Sequence, residues 1–317
     1  MFLLRTPILA LSKSAAVKDL ITRLPITRSV VDRFVAGEQT ADALAATAAL
    51  KADGLAVTLD HLGEDTTARE QADGTVAAYL TLIDALAKAG LAEGAEMSVK
   101  LSAVGATLPV SRDVPDGGEA HALAGARRIV DAAYGAGARV TLDMEDHATV
   151  DATLRTLKAL RSDQPDVGLA IQAMLHRTEA DLAGLTGSGS RIRLVKGAYN
   201  EPASVAYTEP AEIDRAYVRA LKLLMNGDGY PMVASHDPRI IAIAGRLATG
   251  ASRGPHDYEH QMLYGIRADE QRRLVAAGHT VRIYVPYGSD WYGYFTRRLA
   301  EKPANLLFFL RALASRS

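Results

Sequence analysis

The chain contains no cysteine among its 317 residues, which excludes disulfides, thiolate metal sites and a cysteine nucleophile. Neither sign of charge is in excess, because 36 lysines and arginines accompany 37 aspartates and glutamates. The near-neutral balance gives no electrostatic reason to expect nucleic acid binding. No apolar run approaches the roughly 18 residues that a membrane-spanning helix needs, so we expect a cytoplasmic protein. The arginine and serine content of the opening MFLLRTPILALSKS leaves a transit peptide as the alternative.

Short runs rich in valine, isoleucine and leucine alternate with longer segments of helical period. These runs are residues 54–60, 96–104, 139–145, 168–175, 191–199, 230–237, 258–265 and 280–288. Such alternation is typical of βα units around a parallel sheet, and eight units in a chain of this length favour a closed barrel over an open sheet. We predict an α/β protein with a single domain over residues 1–317, a (βα)8 TIM barrel with a helical arm over residues 1–50.

Polar residues cluster at the predicted carboxyl ends of the strands, where barrels of this type carry their chemistry. They are Asp60, Lys100, Asp143, Gln172, Arg193, Lys196, Ser235, His236, Gln261, Tyr284 and Tyr287. A buried ionic network explains any one of them taken singly. So many polar groups converging on one barrel mouth favour a binding site.

The last predicted helix, in SDWYGYFTRRLAEKPAN, carries two adjacent arginines. On a helix, Tyr294, Arg297, Arg298 and Glu301 project from one face. Paired guanidinium forks are suited to binding a small carboxylate. The same turn holds Trp291, Tyr292 and Phe295, and such an aromatic cluster favours a pocket wall.

Several common catalytic motifs are absent. The glycine clusters at 135–140 and 187–192 precede strands, which is the wrong side for a dinucleotide fingerprint, and no Walker loop, HExxH pair or nucleophile elbow is present. No two histidines have the i, i+2 spacing of ligands on one strand, so we predict no metal site. Lys100 or Lys196 could form a Schiff base, which leaves a (βα)8 aldolase or lyase as an alternative.

The motifs of the chain resemble those of bacterial monofunctional proline dehydrogenases. They are RFVAGEQTADALA, LDHLGE, SVKLSA, TLDMED, IQAML, RLVKGAY, ASHDP, QMLYG and RIYVPYGSDWYGYFTRRLAE. The resemblance implies a distorted (βα)8 barrel that holds FAD non-covalently over the strand ends, with the final helix across the barrel top. It also implies oxidation of L-proline to Δ1-pyrroline-5-carboxylate, by hydride transfer from C5 to flavin N5.

The same resemblance implies a metabolic setting. The reaction would be the first step of proline catabolism to glutamate, with a quinone as electron acceptor and a separate pyrroline-5-carboxylate dehydrogenase downstream. Reaching the quinone implies transient peripheral contact with the inner face of a membrane. A flavin-binding or ligand-sensing protein without turnover is the remaining alternative.

Carried over by motif, the substrate residues are Lys100, Tyr284, Tyr294, Arg297, Arg298, Leu263, Tyr199 and Glu64. The arginine pair and Lys100 would bind the carboxylate, the side chains of Tyr284, Tyr294 and Leu263 would pack on the ring, and Tyr199 would line the same side. Asp143, as a catalytic residue, would hold Lys100 and Tyr284 in position. Glu64 would pair with Arg297, and Glu301 would brace Arg298.

The resemblance also assigns residues to FAD. The cofactor residues are Met144, Gln172, Arg193, Lys196, Gly197, Ala198, Ser235 and His236. Arg193, the second catalytic residue, would reach toward N5, while Gln172 would bond the isoalloxazine edge. The others would hold the ribityl and pyrophosphate part, with Met144 contributing its main chain. Tyr287 and Trp291 have no role in this pattern.

Overall fold

Eight parallel strands close into a barrel in sequence order in the computed structural model, which describes residues 31–63 and 66–295. The strands are β1 (Ala56–His61), β2 (Glu96–Val99), β3 (Arg139–Leu142), β4 (Gly168–Gln172), β5 (Arg191–Val195), β6 (Tyr230–Ala234), β7 (Glu259–Leu263) and β8 (Thr280–Tyr287). The barrel closes where β1 pairs with β8, from Ala56 opposite Arg282 to His61 opposite Tyr287. The predicted (βα)8 fold is therefore confirmed.

Helices cover the outside of this barrel and connect its strands. They are α1 (Thr40–Ala52), α2 (Arg69–Lys88), α3 (Gly117–Gly135), α4 (Val150–Arg161), α5 (Thr178–Leu182), α6 (Pro210–Asn226), α7 (Pro238–Gly250) and α8 (Ala268–Ala276). A 3₁₀ turn at His147–Thr149 precedes α4. Among the helices described, none combines the length and apolar character that crossing a membrane requires.

Local sequence determines where these helices begin. Proline occupies the first turn of both α6 and α7, where its missing N–H costs nothing and its fixed φ already fits a helix. The carboxylate of Asp237 caps α7 by accepting a 2.9 Å hydrogen bond from the Arg239 backbone N–H. Because three residues separate the end of β6 at Ala234 from the start of α7, this cap fixes the short loop between them at the barrel mouth.

Alternation along each strand separates an apolar outside from a polar inside. Val57 and Leu59 of β1 belong to the main hydrophobic core with the helices, as do Met97 and Val99 of β2. The intervening residues point to the barrel axis, where Thr58 of β1 donates a 3.0 Å hydrogen bond to Glu96 of β2. Most (βα)8 barrels fill this interior with branched apolar side chains. Here it is filled with charged and polar ones.

Two parts of the predicted architecture fall partly outside the described residues. Within the predicted arm, α1 packs against β1 and β8, with Ala43 and Ala46 in the main core. The final helix is described only over residues 291–295. The assignment of residues 1–317 to one domain stays a prediction.

Candidate active site

Lys100 follows β2 at the barrel mouth and contacts two carboxylates. Its Nζ lies 2.8 Å from both oxygens of Asp60 and 3.4 Å from Oδ2 of Asp143. The hydroxyl of Tyr284 is 3.4 Å from the same nitrogen and donates to Asp143 at 2.9 Å. Residues from β1, β2 and β8 and the end of β3 thus meet around one ammonium group.

Arg193 of β5 joins this cluster from the barrel axis. Its Nη1 donates to Asp143 at 2.5 Å and to Ser98 at 2.8 Å, and its Nε donates to Gln261 at 2.8 Å. The side chain also lies beside the Tyr284 ring, with Cζ 5.4 Å from the ring centroid. Arg193 is 3% exposed, so these contacts hold a full positive charge inside the protein.

A second layer of ion pairs lies toward the amino ends of the strands. Glu96 accepts hydrogen bonds from Arg193 at 2.7 Å and from Arg191 at 3.3 Å. Glu259 accepts from Arg282 at 2.8 Å. The two layers together contain the cations Lys100, Arg191, Arg193 and Arg282 and the anions Asp60, Glu96, Asp143 and Glu259. The described barrel interior is therefore balanced in charge.

Burial and neighbouring charges set the protonation states of the cluster. Burial would raise the pKa of Asp143, but the charges of Lys100 and Arg193 hold that pKa below its ordinary value. Burial raises the pKa of Asp60 by more than Lys100 lowers it, and the charge of Asp143 adds to the rise. Burial and the same carboxylates raise the pKa of Tyr284 well above 10, so its hydroxyl stays a donor.

Gln172, at the end of β4, reaches the loop that follows β3. Its Nε2 donates to the backbone oxygens of Glu145, at 2.9 Å, and Met144, at 3.3 Å. Its Oε1 is buried and accepts no hydrogen bond from any residue that the structure describes. A buried acceptor of this kind suits an N–H group of a ligand.

The loop after β5 contains the predicted segment from Lys196 to Tyr199. Lys196 is ion-paired with Asp214 of α6 and lies 3.9 Å from Asp237. Gly197 has φ +116°, and a side chain at this position would approach Met174 Sδ to 2.4 Å. Both its backbone conformation and its surroundings therefore require glycine.

The ends of β6 and β7 are joined through a histidine. His236 accepts a 2.9 Å hydrogen bond at Nε2 from the Leu263 backbone N–H, and its own backbone oxygen accepts from Arg267 at 2.5 Å. Ser235 accepts a hydrogen bond from the Asp237 N–H at 3.1 Å. Leu263 lies opposite Tyr284 in the sheet, so both border the same side of the mouth.

Aromatic residues after β8 form a separate hydrophobic cluster beside the mouth. It contains Trp291, Tyr292, Tyr294 and Phe295 together with Val31, Phe34, Val35 and Leu62, and Tyr284 packs against it. The indole of Trp291 donates to Glu38 at 3.1 Å. Tyr287 lies edge-on to His61 with ring centroids 5.2 Å apart. Packing thus accounts for the two aromatics that the sequence left without a role.

The four remaining predicted positions, Glu64, Arg297, Arg298 and Glu301, lie outside the described residues. Sequence reasoning missed Glu96 and Ser98, although both contact Arg193. The sequence did contain a pattern that indicates these two residues. Glu96, Ser98 and Lys100 alternate in EMSVK, so in an extended strand they lie on the same face.

The alternatives can be compared with this geometry. Within residues 31–63 and 66–295, no group of three histidine, aspartate or glutamate side chains is arranged to hold a metal ion. Both candidate Schiff-base lysines are ion-paired with aspartates. To form a Schiff base, either lysine would have to leave its aspartate and attack as the neutral amine.

Comparison with known proteins identifies relatives over most of the chain. A family model described as proline dehydrogenase matches residues 43–311. A proline dehydrogenase of Deinococcus radiodurans is 41% identical over 291 residues, covering 90% of each chain. The chain belongs to the proline dehydrogenase family. Proline dehydrogenase 1 of Bacillus subtilis is 35% identical, over 90% of this chain and 91% of that one. The predicted enzyme class is therefore confirmed.

Solved structures of bifunctional proline utilization A (PutA) proteins share this proline dehydrogenase fold. PutA of Bdellovibrio bacteriovorus, in a form inactivated by N-propargylglycine, has a TM-score of 0.76 and 25% identity. That match covers 86% of this chain and 32% of the PutA chain. A Bradyrhizobium japonicum PutA mutant has a TM-score of 0.70 and 24% identity, which shows the fold alone. The chain thus corresponds to about a third of these longer proteins.

Proposed function

We propose that the protein oxidises L-proline to Δ1-pyrroline-5-carboxylate with FAD as its cofactor. The observation that carries this proposal is the cluster of Lys100, Asp143, Arg193 and Tyr284 at the barrel mouth, in a chain of the proline dehydrogenase family. It combines a cation for a carboxylate with an aromatic wall for an apolar ring. Both features suit a small cyclic amino acid.

Lys100 binds the proline carboxylate in this proposal. It is 11% exposed at the mouth and is held from one side by Asp60. Arg297 and Arg298, which the sequence pairs on one helix face, complete the carboxylate site. Tyr284, Leu263 and the aromatic cluster that includes Tyr294 supply the apolar surface for the pyrrolidine ring.

Asp143 organises the polar side of the site. It contacts Lys100, Arg193 and Tyr284 together, and its lowered pKa keeps it ionised near neutral pH. Because Asp143 contacts both Lys100 and Arg193, it fixes the ammonium that binds the substrate relative to the Arg193 guanidinium. This pre-organisation lowers the entropy cost of aligning the ring for reaction.

The residues around the mouth fit FAD. The unpaired Oε1 of Gln172 is an acceptor for a flavin N–H, and Gly197 gives a backbone without a side chain beside Lys196, a cation for the pyrophosphate. In this proposal Met144, Ala198, Ser235 and His236 would contact other parts of the cofactor. The chemistry that FAD supplies when bound is acceptance of the hydride from proline C5 at N5, followed by reoxidation by a quinone.

The setting is also part of the proposal. We infer a cytoplasmic enzyme that contacts the inner face of a membrane transiently to reach its quinone. A separate pyrroline-5-carboxylate dehydrogenase would then consume the product. Relatives named proline dehydrogenase, which the chain matches over 90% and 91% of their own length, support the second statement.

An anaerobic spectrum tests the proposal directly. We expect the purified protein to absorb at about 450 nm, as oxidised flavins do, and this absorbance to fall when L-proline is added. D-proline is the control, because inverting the carboxylate moves it away from Lys100. A colourless protein, or a yellow protein that L-proline leaves unchanged, would contradict the proposal. A Schiff-base lyase would instead be trapped on Lys100 or Lys196 by borohydride.

A further inference from the structure

Asp60 contacts Lys100 more closely than any other described carboxylate does, and the function proposed so far uses it only to hold that lysine from one side. Both of its oxygens lie 2.8 Å from Nζ, against 3.4 Å for Asp143. Its side chain is 1% exposed, whereas that of Asp143 is 13% exposed. A ligand that enters from the mouth therefore meets Lys100 before it meets Asp60.

We propose that Asp60 is a positioning residue that holds Lys100 for the substrate carboxylate and takes up a proton when that carboxylate binds. The inference rests on the proposed function, because it takes Lys100 as a ligand of the substrate. The observation behind it is that Asp60 and Asp143 share the ammonium group of Lys100.

The charge balance at Lys100 changes when a ligand arrives. A substrate carboxylate that binds Lys100 competes for its ammonium with the carboxylates already in contact with it, Asp60 and Asp143. Asp143 keeps a second cation, since Arg193 lies 2.5 Å away. Among the described residues, Asp60 has no cationic contact besides Lys100. A buried carboxylate that loses its only cation becomes neutral rather than remaining charged.

Of the two carboxylates in contact with Lys100, Asp60 is the one whose pKa is raised. The titratable and charged groups that act on it are Lys100, Asp143, Tyr284, Tyr79, His61 and Tyr287. The three tyrosines have raised pKa values and remain neutral, and burial lowers the pKa of His61. Burial raises the pKa of Asp60 itself even with Lys100 in contact.

Ligand binding to the FAD-loaded enzyme tests proton uptake without catalysis. The probe is tetrahydrofuran-2-carboxylate, in which an oxygen replaces the ring nitrogen, so the ligand brings a carboxylate but no ionisable amine. Calorimetric titration in buffers of different ionisation enthalpy gives the number of protons taken up. We expect the wild type to take up protons in an amount that falls to zero at high pH, and Asp60→Asn to take up none.

Steady-state kinetics test the positioning role. Asp60→Ala, which removes the contact with Lys100 altogether, should raise KM for proline by about tenfold or more, the usual size for a hydrogen bond to a charged group, with a much smaller change in kcat. Asp60→Asn, which resembles the protonated aspartate and still accepts from Lys100, should not raise KM. Asp166→Asn is the control, because it removes a carboxylate paired with Arg139 at 3.2 Å, at the start of β3 and outside the network around Lys100. We expect it to leave KM and proton uptake unchanged.

The outcomes separate this inference from the proposed function. A wild type that proline does not reduce would contradict the proposed function. Normal reduction by proline, with equal proton uptake in wild type and Asp60→Asn or equal KM changes in Asp60→Ala and Asp166→Asn, would overturn the role of Asp60 alone. If Asp60→Asn does not fold, Asp60→Glu is used in its place. Its longer carboxylate should shift the pH at which proton uptake falls to zero. An unchanged pH profile of proton uptake would overturn the inference.

Discussion

At the scale of residues, the site consists of polar groups whose side chains alternate along short strands. The sequence alone predicted that one end of the barrel contains Lys100, Asp143, Arg193 and Tyr284, because the carboxyl ends of the strands converge there in a parallel barrel. The resemblance also paired Asp143 with Lys100 and Tyr284, but nothing in the sequence paired Arg193 with Glu96, Ser98 or Gln261. Whether Arg193 contacts Glu96 or Gln261 depends on the register between β5, β2 and β7, which no local pattern in the chain specifies.

Tyr284→Phe isolates the hydroxyl of the cluster. The substitution removes the 2.9 Å bond to Asp143 and the 3.4 Å contact with Lys100 but keeps the ring beside Arg193. A hydrogen bond to a charged group contributes about 1.5–3 kcal/mol, so we expect kcat/KM for proline to fall about tenfold or more. Tyr230→Phe, whose hydroxyl is 3.5 Å from Glu259, is the control. Equal effects in the two variants would argue against a role for the Tyr284 hydroxyl in the site.

At the scale of elements, the sequence located every strand but extended most of them too far. The second strand was predicted over residues 96–104 and ends at Val99, and the fifth was predicted over 191–199 and ends at Val195. The physical reason is that apolar residues continue into the turns. Leu101 and Val104 are buried in the main core although they lie beyond β2. Burial alone does not distinguish a strand from a packed turn.

Gly197→Ala tests the loop that follows β5. The φ of +116° and the 2.4 Å approach to Met174 make a side chain costly, so we expect a loss of about 1–3 kcal/mol in the free energy of unfolding and weaker FAD retention. Urea denaturation and titration of the apoprotein with FAD measure the two effects. Gly245→Ala is the control, because an added Cβ on α7 meets no atom within 4 Å. Unchanged FAD affinity in Gly197→Ala would contradict a role for this loop in binding the cofactor.

At the scale of the whole molecule, the barrel interior is an ionic network while the apolar core lies between strands and helices. Glu96 shows how the network is held together: burial would raise its pKa, but Arg282, Arg193 and Arg191 lower it to about 2. Removing one partner of such a network leaves another buried charge unpaired. The residues that position the site are therefore also residues on which folding depends.

The acid sensitivity of the fold has a specific source at the other end of the barrel. His260 is 2% exposed, and burial, with His279 nearby, lowers its pKa from 6.5 to about 4. The unfolded chain binds a proton below about 6.5, whereas the folded protein binds it only near 4. Stability is therefore complete above that range and falls as the pH drops through it, by a total on the order of 3 kcal/mol.

His260→Gln should remove this part of the pH dependence. We expect chemical denaturation to show a smaller loss of stability between about pH 6.5 and 4 in the variant than in the wild type. His256→Gln, which changes an exposed histidine of the same region, should keep the wild-type slope. Identical slopes in His260→Gln and the wild type would show that other groups cause the acid sensitivity.

The central claim is that proline is oxidised at the barrel mouth, with its carboxylate on Lys100. Anaerobic titration of the FAD-loaded wild type and Lys100→Met with L-proline, followed by flavin absorbance and by the mass of the product, tests it most directly. The account predicts that the wild type bleaches and forms a product two hydrogens lighter than proline. It predicts that Lys100→Met, at equal flavin content, needs at least about tenfold more proline. A wild type that does not bleach, or a variant that bleaches at the same proline concentration, would contradict the account.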